Sequence, residues 1–118
     1  MSDIEIRDER DKGLLVACAA GEPEGAVFGY IEYFVLDEPE RALVPVHTVV
    51  EHEHEGRGIA GSLARELYAI AARESIAVAP LCPFVVEWAA RHPGEAPVAP
   101  PELLDAAQRA LADDPAKW

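Results

Sequence analysis

The sequence predicts an α+β fold in which a mixed, mostly antiparallel sheet is flanked by helices. Four runs that are β-branched, aromatic or alternating in hydropathy lie within residues 4–50, and short turns separate them. This arrangement is typical of an antiparallel meander. A helical pattern and a short apolar run follow, and a strand–helix–strand passage makes its two strands parallel neighbours. The predicted sheet is therefore mixed.

The meander consists of four predicted strands. Gly13 and Pro39 lie in two of the turns between them, and glycines at both ends of residues 21–25 mark the third. Pro45 cannot donate to a ladder, so we expect a bulge or a locally unpaired position there. Tyr33 is expected in the core or lining a groove. The predicted strands are residues 4–7, 13–19, 26–36 and 42–50.

The second half of the chain predicts three helices and one short strand. Apolar residues recur at helical spacing through residues 58–74, and residues 76–79 form a short buried strand. Pro83 suits the first position of a second helix that ends before Pro93. We therefore predict a domain over residues 1–95, followed over residues 96–118 by a proline-rich linker, a short C-terminal helix and a tail.

Composition narrows the class of partner. The chain has 118 residues, with 22 acidic and 10 basic side chains and a net charge of −12, which disfavours nucleic acid and anionic membranes. A cationic or amine-bearing partner fits better, although such charge also serves solubility. Cys18 and Cys82 form no CxxC pair, which suits a reducing compartment. Residues 1–20 lack an apolar signal core, so the predicted location is cytoplasmic.

A glycine-rich stretch at residues 51–63 predicts a phosphate cradle. Gly56, Gly58 and Gly61 allow close backbone approach, and the following helix directs its free N–H groups at the same place. The spacing reads as G-x-G-x-x-G, but the acidic residue that a dinucleotide site needs about 20 positions later is replaced by the apolar residues 76–80. A dinucleotide site is therefore not predicted.

Four motifs together carry a resemblance to a known family. They are His47-Thr48-Val49, Gly56-Arg57-Gly58-Ile59-Ala60, Pro80-Leu81-Cys82-Pro83-Phe84-Val85 and Arg91-His92-Pro93. With them the chain resembles the GCN5-related N-acetyltransferase superfamily, and within it a small YjdJ-type subgroup. The resemblance covers roughly residues 3–95, as one compact domain. It implies the acyl-coenzyme A N-acyltransferase fold of that family.

The resemblance also implies a donor and its binding residues. In the family this loop grips the pyrophosphate of coenzyme A, so the chain is expected to be an acetyl-coenzyme A dependent N-acetyltransferase. Glu55 departs from the Gln or Arg of the family pattern, but backbone N–H groups need no particular side chain. The acceptor is expected to be an amine on a small molecule or peptide. The implied cofactor-binding residues are Val49, Val50, Glu55, Gly56, Arg57, Gly58, Ile59, Ala60, Gly61 and Ser62.

Cys82 and His47 are the candidate catalytic residues. The tyrosine that often serves as acid in the family is missing from residues 83–88. Cys82 directly precedes a helix, whose N-terminus stabilises a thiolate, so it either donates a proton, carries an acyl group or is a packed structural residue. His47 lies beside the expected acyl site and is either a base or a histidine satisfied within the sheet. Cys18 is expected to be inert.

Two other classes of function compete with the enzyme. The missing tyrosine and the short chain leave room for a coenzyme A binding module with weak or no turnover. His52 and His54 suggest a third class of function, a metal-binding or protein interaction domain. No third ligand follows at a suitable spacing, so no metal site is predicted.

Overall fold

The computed structural model of the protein describes residues 4–19, 27–51 and 58–113. Within these ranges a five-stranded sheet carries helices on both faces, which confirms the predicted α+β class. The strands are β1 Ile4–Glu9, β2 Leu14–Ala19, β3 Val27–Leu36, β4 Ala42–Val50 and β5 Ala77–Val78. The helices are α1 Ile59–Glu74, α2 Pro83–Arg91 and α3 Pro101–Asp113, with a short 3₁₀ turn at Arg10–Lys12.

The sheet has the strand order β1-β2-β3-β4-β5. Its first four strands are antiparallel neighbours, and β5 pairs in parallel with the start of β4. The register between β3 and β4 shifts where Tyr33 lies opposite Pro45 and Glu32 lies opposite His47. Val46 is thus the extra residue of a bulge. The predicted bulge is confirmed next to Pro45. Pro45 itself faces away from β3, because its carbonyl accepts from Leu81 and Cys82.

The two faces of the sheet are covered by different helices. One face packs Leu15, Ile31 and Leu43 against side chains of α1 and α2, including Leu63 and Val85. The apolar stripe of α1 therefore faces the sheet, as its periodicity predicts.

The opposite face carries a smaller core beneath α3. There Leu103 and Ala107 pack with Val44, Val46 and Ala79, and Leu103 is fully buried. Burial of a leucine side chain contributes about 2 kcal/mol. The boundary at residue 95 stays a prediction, but α3 docks on the sheet.

A polar network ties the β1–β2 corner to the end of α1. The Tyr33 hydroxyl donates to Asp8, and the side chain of Tyr33 is only 1% exposed, so it belongs to the core. Arg10 donates to Glu74 at 2.7 and 2.8 Å and to the Tyr33 oxygen at 3.4 Å. The bond from Arg10 lowers the pKa of Glu74. Burial, followed by the bond to Asp8, raises the pKa of Tyr33 to about 12.

This network predicts a loss of stability in alkali. A group whose pKa is raised on folding contributes stability that is complete below its unfolded pKa, about 10 for tyrosine, and is lost as pH rises toward the folded value. We expect Tyr33→Phe to be less stable by about 1 kcal/mol at pH 8, where the hydroxyl bond is intact. That difference should shrink as pH rises from 10 to 12. Urea unfolding followed by circular dichroism measures it, and a constant difference would contradict the account.

Candidate functional site

Strands β4 and β5 separate beyond Pro45, which leaves an opening in the sheet. Ala79 N–H donates to the Leu43 carbonyl at 2.9 Å, which continues the parallel ladder beyond β5. Leu81 and Cys82 then both donate to the carbonyl of Pro45, at 3.1 and 3.0 Å. Past Pro45 no strand in the described ranges pairs with this side of β4. A wedge therefore lies between the end of β4 and the start of α2.

The backbone of β4 presents hydrogen-bonding groups to this wedge. Glu51 N–H donates to the Phe28 carbonyl at 2.8 Å, so the backbone groups of Glu51 face β3. In an antiparallel ladder these directions alternate along the strand. The N–H and C=O groups of Thr48 and Val50 therefore face away from β3. We call this segment, residues 48–50, the open edge; such an edge suits a ligand that carries amide groups.

Helix α1 begins beside the open edge with an unusual cap. Gly58 has φ +77°, a left-handed conformation in which a β-carbon is strained, and a β-carbon there would meet nothing within 4 Å. The first helical bond runs from Ser62 N–H to the Gly58 carbonyl. The N–H groups of Ile59, Ala60 and Gly61 thus have no partner inside the helix. They form a positive end suited to an anion.

Only some of the predicted cofactor-binding residues lie within the described part of the chain. Val49 and Val50 end β4, and Gly58 through Ser62 form the first turn of α1. Glu55, Gly56 and Arg57 lie outside the described residues, as do His52 and His54. No group of three histidine, cysteine or acidic side chains in residues 4–19, 27–51 and 58–113 is arranged to hold a metal ion.

Cys82 lies at the wedge, and its neighbour is Thr48. Cys82 caps α2 just before Pro83 and is 4% exposed, and its sulfur lies 3.2 Å from the Thr48 hydroxyl. Sequence reasoning did not single out Thr48. The available signal was strand alternation, because Thr48 shares the inward parity of Val50, which packs against the core beneath α1.

His47 does not meet Cys82. Its register partner is Glu32, and side chains opposite each other in a ladder share a face. Glu32 alternates with Ile31, which packs under α1, so Glu32 and His47 lie on the other face. The bulge explains this arrangement. If β4 alternated regularly through Val46, His47 would share the face of Leu43.

Trp88 supports the first turn of α1 from α2. Its ring is 4% exposed and stacks on His92 at 4.1 Å and on Tyr68 at 5.9 Å between centroids. The guanidinium of Arg65 lies 5.6 Å from the ring. A β-carbon at Gly61 would lie 3.6 Å from the indole nitrogen, so the turn is close to this ring. The stack holds the helix start in position.

The sequence matches the model of a known protein family. A family model described as GCN5-related N-acetyl-transferase matches residues 18–98, more than half of the chain. The chain belongs to this family. A GCN5-related N-acetyltransferase has acyl transfer as its general chemistry. Assignment to the YjdJ-type subgroup stays a prediction.

Solved structures extend the comparison. The ribosomal-protein-alanine N-acetyltransferase of Brucella melitensis biovar Abortus 2308 is 27% identical with a TM-score of 0.54, over 74% of this chain and 62% of that one. The present chain thus spans less than two thirds of that enzyme. An acetyltransferase of Trypanosoma brucei is 16% identical with a TM-score of 0.47, over 62% of this chain and 54% of that one. No curated protein sequence matches. No helix in the described part of the chain is long and apolar enough to cross a membrane.

Two glycine substitutions test the α1 cap. Gly58→Ala places a β-carbon at positive φ, and we expect the free energy of unfolding to fall by about 1 kcal/mol. Gly61→Ala is the matched control, because its β-carbon makes only an ordinary contact with Trp88 and alanine favours a helix. Its stability should be unchanged or higher. Urea titrations compare the two variants, and equal stabilities would refute the role assigned to Gly58.

Proposed function

We propose that this protein is an acetyl-coenzyme A dependent N-acetyltransferase that acetylates an amine. The observation that carries the proposal is the open edge of β4, which lies between the N-termini of α1 and α2. Because β4 and β5 are parallel neighbours, both helices start at the same edge of the sheet. A binding site at the carboxyl ends of parallel strands is the general pattern for such sheets.

The residues at the wedge fit coenzyme A. The N–H and C=O groups of Thr48 and Val50 suit the amides of its pantetheine arm. The N–H groups at the start of α1, which have no partner inside the helix, suit its pyrophosphate, together with Gly56 and Arg57, which the family pattern assigns to the loop. Glu55 carries a negative charge and would not favour phosphate binding. We therefore attribute the affinity for phosphate to the backbone N–H groups and Arg57. When bound, acetyl-coenzyme A would supply an activated acyl thioester.

The side chains at the wedge suit the proton transfers of acyl transfer. A backbone N–H of the open edge stabilises the acyl oxygen as negative charge develops there. Cys82 donates its thiol proton to the leaving sulfur, with the Thr48 hydroxyl orienting the thiol at 3.2 Å. The alternative role for Cys82 is to carry the acyl group itself. His47 serves as base for an amine that approaches the opposite face of the sheet.

The acceptor and the cellular location are further parts of the proposal. The Brucella neighbour is named for ribosomal-protein alanine, so a peptide with an N-terminal alanine belongs among the amines to test. Small amines such as polyamines belong there as well, because the net charge of −12 favours cations. We also propose a cytoplasmic location, because both cysteines are unpaired thiols, as in a reducing compartment.

Binding and turnover are measured separately. We expect acetyl-coenzyme A to bind in isothermal titration calorimetry, and a panel of amines to release free thiol in a dithiobis(nitrobenzoate) assay. Free coenzyme A should compete for the same site. Binding with no thiol release from any amine would favour a coenzyme A binding module. No heat of binding for acetyl-coenzyme A would overturn both functions.

Cys82→Ser tests the proton donor. A serine hydroxyl is a far weaker acid than a thiol, and we expect thiol release to slow about a hundredfold. The dissociation constant of acetyl-coenzyme A and the melting temperature should stay unchanged. Cys18→Ser is the matched control, because Cys18 is fully buried in β2 and its thiol donates to the Glu5 carbonyl. A Cys82→Ser rate equal to that of the control would remove Cys82 from the mechanism.

A further inference from the structure

One face of the sheet beside the open edge is left without a helix in the described part of the chain. Register places Tyr30 opposite Val49 and Glu32 opposite His47, so these four side chains share the face opposite α1. Helix α3 packs on this same face, but only at its far end, over Val44, Val46 and neighbouring residues. We call the four residues the acceptor face.

The acceptor face is accessible. Val49 is 38% exposed, His47 is exposed, and Tyr30 and Glu32 are half-buried. An exposed valine beside a half-buried tyrosine gives an apolar surface with a carboxylate at its side. Such a surface matches a ligand that carries both methylene groups and positive charge.

Glu32 is the charged side chain of this face, and it has no partner among the described residues. Its carboxylate makes no hydrogen bond or ion pair with any residue of the described ranges. Arg7 lies on the same face in β1, but it is paired with Glu9 at 3.8 Å. A half-buried carboxylate without a counter-charge attracts a cation more strongly than a fully solvated one.

The acceptor face also adjoins the wedge. Thr48 separates His47 from Val49 in β4, and the backbone groups of Thr48 face the wedge while these two side chains point to the acceptor face. An amine on this face therefore lies next to the backbone that holds the acyl group. Since strand neighbours are about 3.3 Å apart, one residue separates the two sites.

We propose that the acceptor face binds the acceptor, and that the acceptor is a polyamine-like amine with a second positive charge. The role as acceptor rests on the acetyl transfer proposed above. Glu32 binds the second ammonium group, and Tyr30 and Val49 contact the methylene chain. His47 takes the proton that the reacting amine loses as the C–N bond forms and the C–S bond breaks. Cys82 supplies the proton of the leaving sulfur.

Spermidine is the probe for this proposal. We expect it to shift the backbone amide resonances of residues 30–32 and 47–49 in ¹⁵N-labelled protein. Glu32→Gln should weaken spermidine binding about tenfold, because the neutral amide can still accept a hydrogen bond but no longer pairs with the ammonium charge. Glu40→Gln is the matched control: it removes the same charge from the exposed β3–β4 turn, at the other end of the strands, and should leave the affinity unchanged.

Kinetics separate this proposal from the proposed function. In the thiol-release assay Glu32→Gln should raise the KM for spermidine about tenfold and leave kcat and the dissociation constant of acetyl-coenzyme A unchanged. For aniline, which has no second charge, the KM should not change. If acetyl-coenzyme A does not bind but spermidine still shifts the resonances of this face, the proposed transferase activity is wrong. The proposal that this face binds a cation is then retained.

Three results would overturn the proposal itself. Shifts confined to other residues would move the site elsewhere. Equal weakening in Glu32→Gln and Glu40→Gln would reduce the binding to general attraction by an acidic protein. Shifts that depend on protein concentration and not on spermidine would assign the face to a second copy of the chain.

Discussion

The carbonyl of Pro45 is the group on which the candidate site depends. It accepts hydrogen bonds from both Leu81 and Cys82, and these two bonds join the start of α2 to the middle of β4. The same residue has no N–H to donate on this side of β4, so the parallel ladder with β5 cannot continue there, and the next residue, Val46, is bulged in the β3–β4 ladder. One proline thus ends the pairing of β4 with β5, and it holds Cys82 beside the edge that is left open.

The helices beside the open edge determine which kind of ligand it suits. Helix α1 begins after Gly58, which has a left-handed conformation, and the first N–H groups of the helix have no partner inside it. Trp88 of α2 lies close to that first turn, so the two helices that follow the parallel strands support each other. A positive helix end and an unpaired strand edge lie together, which suits an elongated ligand with an anionic group and amides.

The bulge also divides the chemistry between two faces of the sheet. Thr48 and Cys82 meet at the wedge under the helices, whereas His47 and Glu32 lie on the face that α3 covers only in part. A donor held at the edge and an acceptor held on the opposite face would meet at the backbone of Thr48. An acidic, partly apolar surface favours an acceptor that is cationic.

The sequence by itself determined the elements, because turns and hydrophobic periods act between near neighbours. It predicted the four-strand meander, the bulge at Pro45, the helix starting at Pro83 and the parallel strand between the two helices, and with them the family. Only the tertiary structure decided which side chains meet. Thr48 and Cys82 are 34 residues apart, and no local pattern reports their contact. His47 changed face because one extra residue inverts the alternation of a strand, and a sequence indicates a bulge without indicating which residue it adds.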